Sequence, residues 1–305
     1  MAGWKDRGVV GLRDAGISRL VHGHWRLAEW KLSDRELLTL TRQVLELGID
    51  TFDHADIYGN HTCEALFGDA LALEPGLRNR LKLVTKCGIK LANPKFPERK
   101  IKTYDYSYSH IISSVEQSLC NFRTDRIDLL LLHRPSPLLD PEEVAKAFSQ
   151  LKRSGKVLSF GVSNFTPLQF EMLDKCTEEP LITNQVEISP YCLEHFENGN
   201  MDFFLKEKIR PMAWSPLAGG RLLHPVDEKG HRILDVMSQI ATEMNTSDLE
   251  KVAYAWLLRH PANIIPIIGS GRIERIRIAA DAHRMDIGNE NWFRIYNASK
   301  GNEIP

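Results

Sequence analysis

The sequence predicts a (β/α)8 barrel, an α/β fold with one closed parallel sheet wrapped in helices, formed by residues 1–305 as a single domain. Three observations lead there. Short apolar segments rich in β-branched residues or leucine recur eight times along the chain as candidate strands. Longer stretches of helical period lie between them, as parallel strands joined by crossover helices require. The 305 residues also suit one barrel, since such domains take roughly 250 residues or more. A doubly wound open sheet fits less well, because no candidate strand is followed by G-x-G-x-x-G. The nearest glycine cluster, "GSGRIER" at 269–275, lacks the third glycine.

In chain order the first strand lies in "SRLVHGHW" (18–25), followed by the amphipathic helix "SDRELLTLTRQVLELG" with a Ser33 or Asp34 cap and a stop at Gly48. "GIDTFD" (48–53) and "LKLVTKCG" (81–88) supply the second and third strands. A long loop then interrupts the pattern between Gly88 and His110, with two prolines, five Lys or Arg and the tyrosines Tyr104, Tyr106 and Tyr108. Long loops in compact domains tend to carry function, and this one is read as a cover over the substrate with its tyrosines lining an aromatic pocket. "IDLLLLHR" (127–134) is the fourth strand, and "DPEEVAKAFSQLKRSGK" the next helix, capped by Asp140 and ended by Gly155. "VLSFGVSN" (157–164), "LITNQVEI" (181–188), "RPMAWSPL" (210–217) and "NIIPIIGS" (263–270) complete the eight.

Composition excludes several functions. With 39 Lys and Arg against 40 Asp and Glu, the net charge of -1 creates no field attractive to nucleic acid or anionic lipid, which leaves a small neutral or anionic ligand. The five cysteines are scattered, odd in number and never spaced C-x-x-C, so they read as reduced thiols. "MAGWKDRGVV" lacks the apolar core of a signal peptide, and no apolar run nears the roughly 18 residues of a membrane span. A cytoplasmic protein is expected. No heptad or interaction arm favours assembly, so a monomer is expected as well.

A barrel gathers the C-terminal ends of its strands at one mouth, where active sites form. The polar residues at those ends are His24, Asp53, Tyr58, Lys86, His133, Ser163, Asn164, Gln185, Glu187 and Ser215, together with Trp25 and Trp214. Singly, each has an ordinary explanation: a solvated lysine, a hydrogen-bonded rim histidine, an Asp capping the next helix. Jointly, Asp, Tyr, Lys and His at the ends of strands two, three and four can form one hydrogen-bonded group. Lys86 could also act as a Schiff-base nucleophile, as in aldolase-type barrels, and the "HGH" of residues 22–24 puts two imidazoles on one strand face as in a metal-dependent hydrolase. A neighbouring carboxylate at Asp53 opposes the first alternative by keeping Lys86 charged. The second lacks further ligands, since the later strand ends offer Asn164, Gln185 and Ser270.

"GIDTFDHADIYGNHTCEALFG", "VTKCG", "LLLLHRP", "FGVSNF", "NQVEISP", "AWSPLAGG" and "IPIIGSGRIERIR" together resemble the aldo-keto reductase superfamily in order over nearly the whole chain. Within it they are most similar to the bacterial YdhF-like oxidoreductases. The D-x-A-x-x-Y-G stretch with Glu64 and Gly68 is the most specific part. The resemblance implies reduction of small aldehydes or ketones by hydride from NADP(H), bound without a Rossmann domain. By motif, Tyr58 is the general acid, Lys86 stands beside it, Asp53 pairs with Lys86, and His133 orients the carbonyl. The chemistry agrees: a phenol with a pKa of about 10 is a weak acid, and an adjacent ammonium lowers that value by stabilising the phenolate. Asp56 and Glu64 have no catalytic place in the motif and read as structural. Cys87 should face away from Lys86.

The same resemblance puts Ser163, Asn164 and Gln185 on the nicotinamide carboxamide and Trp214 against its ring, with Trp25 also among the cofactor residues. Ser215, Leu217, Gly219, Gly220 and Arg221 would follow the pyrophosphate, and Ser270, Arg272 and Arg275 the adenosine 2′-phosphate, which favours NADP over NAD. Two departures stand out. Trp214 replaces the usual Tyr or Phe, and Ile278 and Ala279 replace the Glu-Asn pair that touches adenine in the family. A cofactor-binding sensor with little turnover would keep the same residues and is the non-enzyme alternative.

Overall fold

A computed structural model describes residues 15–304; "MAGWKDRGVV", on which the signal-peptide reading falls, lies outside them. The strands are β1 (Val21–Gly23), β2 (Thr51–Asp53), β3 (Lys82–Cys87), β4 (Ile89–Lys90), β5 (Thr103–Tyr104), β6 (Ile127–Leu132), β7 (Val157–Ser163), β8 (Leu181–Glu187), β9 (Met212–Trp214) and β10 (Ile265–Ile268). Eight of them close into the parallel barrel predicted from the sequence, in the order β1-β10-β9-β8-β7-β6-β3-β2, and each expected segment contains one of the eight. By its internal contacts the chain divides into two compact units, one up to Asn184 and one from Gln185 onward.

In the first unit, β6 shows why the barrel strands read as unbroken apolar runs. Leu129 to Leu132 are at most 1% exposed, so both faces of the strand are buried and no polar residue alternates in. Complete burial of each such leucine contributes about 1.5–3 kcal/mol. The helix Asp34–Glu46 begins in a capping box: Ser33 Oγ accepts from the Glu36 amide, and the Glu36 carboxylate accepts from the Ser33 amide at 2.8 Å. Its apolar face buries Leu37, Leu38, Leu40 and Val44. Asp140 caps Pro141–Arg153, whose Phe148 ring stacks on Phe160 of β7 at 4.1 Å.

The second unit is held by its aromatic residues. Trp256 and Trp292 stack at 4.9 Å with an interplanar angle of 7°, and each indole N–H donates to the other's carbonyl, at 3.0 and 3.1 Å. Both donors are thereby satisfied in a stack that buries Trp256 and half-buries Trp292, and the helices Leu249–Arg259 and Gly288–Lys300 are fastened together.

The interval between Gly88 and His110 is more structured than an open loop. β4 and β5 pair antiparallel, with Ile89 opposite Tyr104 and Lys90 opposite Thr103, and Asn93 bridges to Phe96. Lys90 and Asp105 form an ion pair at 3.1 Å, and Ser107 caps the helix Tyr108–Phe122.

Candidate active site

Strand register brings the expected residues together. Asp53 pairs with Val84 across β2 and β3, and Lys86 lies two residues beyond Val84 on the same face. Lys86 in turn pairs with Leu131 of β6, and His133 lies two residues beyond that. Tyr58 comes from the turn after β2, where the Asp56 amide donates to the Lys86 carbonyl at 3.0 Å. The backbone of Asp56 thus ties this turn to β3, while its buried carboxyl keeps one oxygen, Oδ1, without a hydrogen-bond partner.

Lys86 is the centre of the group. Its Nζ donates to both Asp53 carboxylate oxygens at 2.8 Å, to the His54 carbonyl at 2.7 Å and to Tyr58 Oη at 3.2 Å. The ammonium also lies 4.9 Å from the centroid of the Tyr58 ring, and that ring meets His133 edge-on at 5.9 Å. Lys86 and Asp53 are 1% and 3% exposed, so water does little to screen the pair.

The protonation states follow from this geometry. Burial alone disfavours the Lys86 ammonium, but the Asp53 carboxylate and Tyr58 outweigh burial and hold its pKa above the ordinary lysine value. Burial pushes the Tyr58 phenol up, Lys86 pulls it down, Asp53 pushes it up again, and the net shift is upward. This corrects the sequence expectation of a lowered pKa: the ammonium acts in the expected direction, but desolvation of a buried phenolate is the larger effect. Burial, with Lys86, Arg134 and Lys102 nearby, holds His133 well below the usual histidine value, so its ring is neutral. His133 Nδ1 is buried without a hydrogen-bond partner.

The "HGH" pair lies elsewhere. His22 Nδ1 and His24 Nε2 are 3.1 Å apart, and His24 Nδ1 is 2.8 Å from His54 Nε2, forming a buried imidazole chain. The chain packs on Trp30, Phe52 and Phe67. Among the described residues no group of three or more His, Cys, Asp or Glu is arranged to hold a metal ion. A charged Lys86 likewise opposes the Schiff-base reading, which needs a neutral amine. Glu64 is structural: buried, it accepts from Thr85 Oγ1 at 2.6 Å, Ser118 Oγ at 2.9 Å and Asn121 Nδ2 at 3.0 Å. Burial pushes the Cys87 thiol well above its ordinary pKa, so it is a poor nucleophile.

Of the expected cofactor residues in the first unit, Asn164 adopts φ 63° and donates to Ser163 Oγ at 2.7 Å and to the His133 carbonyl at 3.4 Å. These two residues therefore adjoin the Lys86 group. Trp25 is 61% exposed, with the Arg26 guanidinium 5.9 Å from its ring. In the second unit, Gln185 pairs with Met212 and Glu187 with Trp214 across β8 and β9. Ser215 has φ 49°, and its carbonyl accepts from the Ala218 amide at 2.7 Å. Beyond Leu217, Gly219 and Gly220 have φ 67° and 102°, and Arg221 lies over the Tyr191 ring at 4.2 Å. The Arg272 amide donates to Ser270 Oγ at 3.2 Å at the start of the helix Ile273–Asp281. Arg275 is ion-paired to Glu250, at 2.6 Å through Nη2 and 2.8 Å through Nε.

Two participants carry no signal in the sequence, and a third, Tyr106, has a partner the sequence does not show. The His54 carbonyl, which receives Lys86, is a backbone group with no sequence signal. Glu250 precedes Arg275 by 25 residues, and nothing local links them. The sequence suggests Tyr106 as pocket lining; it is 5% exposed, and its hydroxyl donates to the Arg134 carbonyl at 2.5 Å.

Residues 19–299 match the Aldo/keto reductase family. The chain is 48% identical to oxidoreductase YdhF of Escherichia coli, over 95% of this chain and 96% of that protein. It is 42% identical to a 6-dehydroglucose reductase of Agrobacterium fabrum, over 94% and 96% respectively. Among solved structures, the thermostable aldo-keto reductase Tm1743, in complex with the inhibitor epalrestat, superposes with a TM-score of 0.77 at 25% identity, covering 92% of this chain and 95% of that one.

Proposed function

The chain belongs to the aldo/keto reductase family, and on that premise we propose that it reduces an aldehyde or ketone with NADPH as hydride source and Tyr58 as proton donor. The observation that carries this reading is Lys86 Nζ bonded at once to both Asp53 oxygens and to the Tyr58 hydroxyl. With its pKa raised, Tyr58 keeps its proton at neutral pH, as a donor must. Once the proton leaves, the phenolate has an ammonium 3.2 Å away that burial cannot easily neutralise while Asp53 is beside it. Neutral His133 offers an N–H to the same carbonyl oxygen, polarising it without adding a competing charge.

A reduced nicotinamide, when bound, supplies the hydride. The side chains present suit such a group. Ser163, Asn164 and Gln185 carry the hydroxyl and amide groups that complement a carboxamide, Trp214 has a flat face for its ring, and Trp25 is a further aromatic candidate. Ser215, Leu217, Gly219, Gly220 and Arg221 form a glycine-rich backbone run suited to a pyrophosphate. Ser270, Arg272 and Arg275 combine a hydroxyl, a helix N-terminus and two guanidiniums, the donors a 2′-phosphate calls for. The protein works as a single-domain monomer in the cytoplasm on small molecules. The name of the Agrobacterium relative makes an oxidised hexose the first substrate to try.

The test is fluorescence titration of the purified protein with NADPH and separately NADH, followed by addition of an aromatic aldehyde or 6-dehydroglucose. Substrate-dependent oxidation of NADPH is expected, together with a fall of about 10²–10⁴ in Tyr58→Phe while NADPH binding is retained. Full turnover in Tyr58→Phe would remove that residue as the acid. Binding without turnover in the parent would point to a cofactor sensor.

A further inference from the structure

The chemistry above needs Tyr58 and His133 to meet one carbonyl, yet neither lies within a strand. Tyr58 opens a turn whose next three residues, Gly59, Asn60 and His61, have φ of 57°, 55° and 64°. Left-handed backbone is unfavourable for residues with a Cβ, and successive residues of this kind persist only where their surroundings hold them. His133 follows the last residue of β6 and leads directly into Arg134 and the next loop.

The segment from β4 to Tyr106 touches both places. At one end, Lys95 Nζ donates to the Asn60 carbonyl at 2.9 Å, and Phe96 meets the His61 ring edge-on at 5.2 Å. The Arg99 guanidinium covers the Phe96 ring at 3.6 Å. At the other end, the Tyr106 hydroxyl donates to the Arg134 carbonyl at 2.5 Å and accepts from the Arg134 amide at 3.1 Å. Both backbone groups of the residue after His133 are thus held by one buried phenol. The Tyr106 ring lies against Gly88, where an added Cβ would stand 1.9 Å from Tyr106 Cε1. Gly88 is two residues from Lys86, so the phenol also abuts the strand end that carries the ammonium.

We propose that residues 89–106 form a two-point clamp that sets the placement of Tyr58 relative to His133, with Phe96 and Lys95 gripping the Tyr58 turn and Tyr106 gripping the His133 end. These are positioning residues, and the proposal rests on the reading of Tyr58 and His133 given above. It adds to the substrate-covering role expected of this segment one directed inward, at the placement of Tyr58 and His133.

Tyr106→Phe tests one grip, because it keeps the ring on Gly88 and removes only the hydroxyl. Misplacement of reacting groups by about 1 Å can cost on the order of a hundredfold in rate. A fall in kcat of about tenfold to a hundredfold is expected, with the KM for NADPH and the melting temperature close to the parent's. Phe96→Ala tests the other grip: kcat should fall similarly and amide hydrogen exchange at residues 59–62 should accelerate, while Phe96→Tyr restores both. Parent-like kcat in both Tyr106→Phe and Phe96→Ala would overturn the clamp, as would a loss confined to KM. If the parent itself turns over no carbonyl, the functional reading fails, and hydrogen exchange still decides the clamp. Unchanged exchange at 59–62 in Phe96→Ala would then overturn it.

Discussion

Replacing Lys86 by methionine isolates the energetics of the site. The methionine fills much the same space but removes the ammonium from Asp53, which is only 3% exposed. Removing one partner of a buried ion pair costs about 3–5 kcal/mol, because the remaining charge loses its compensation without regaining water. Here the loss also strips the His54 carbonyl of a donor at 2.7 Å. For a protein of this size that corresponds to a fall in melting temperature on the order of 10 °C. Scanning calorimetry on the parent, Lys86→Met, Asp53→Leu and the double variant gives the coupling directly. The double variant should recover most of the stability lost in Lys86→Met, since neutral groups replace both charges, yet remain as inactive as either single variant. A Lys86→Met protein melting with the parent would refute the charged pair, and an additive double variant would refute the coupling.

Three further outcomes follow from other parts of the chain. Arg275→Ala should weaken NADPH binding far more than NADH binding in fluorescence titration, and equal losses would contradict a 2′-phosphate role. Gly68→Ala sets two effects against each other: alanine favours a helix by about 1 kcal/mol, but its Cβ would stand 2.0 Å from the Asn121 carbonyl oxygen. Overpacking of about 1–3 kcal/mol should win, so urea unfolding that shows stabilisation would disprove the close contact. Burial, with His54 and His22 beside it, holds His24 neutral, its folded pKa well below the unfolded value of about 6.5. Its stabilising contribution is therefore complete above that pH and is lost as pH falls, because the unfolded chain binds the proton first. The destabilisation caused by His24→Gln should shrink by up to about 1.4 kcal/mol per pH unit below roughly pH 6.5. Buried Asp56 and Glu64 titrate in the opposite sense, which is why the difference between variant and parent is the quantity to measure. A pH-independent difference would mean that His24 is protonated in the fold or not buried.

Much of the fold was legible because burial on both faces leaves strands as unbroken apolar runs. "IDLLLL" is a strand for the reason that Leu129 to Leu132 have no solvent side. That Asp53, Tyr58, Lys86 and His133 gather at one place was legible too, since strand ends are where a barrel collects polar groups, and a period of two puts Asp53, Lys86 and His133 on one face once the register is known. Tertiary structure alone decided how these groups behave. The Tyr58 shift reversed because desolvation depends on everything packed around a phenol, which no local pattern encodes. The partners Glu250 of Arg275, Arg134 of Tyr106 and His54 of His24 lie 25, 28 and 30 residues away, so only the folded chain introduces them. Residue type and spacing determine which chemistry is on hand; burial and long-range contact determine its charge, its direction and the geometry in which it is held.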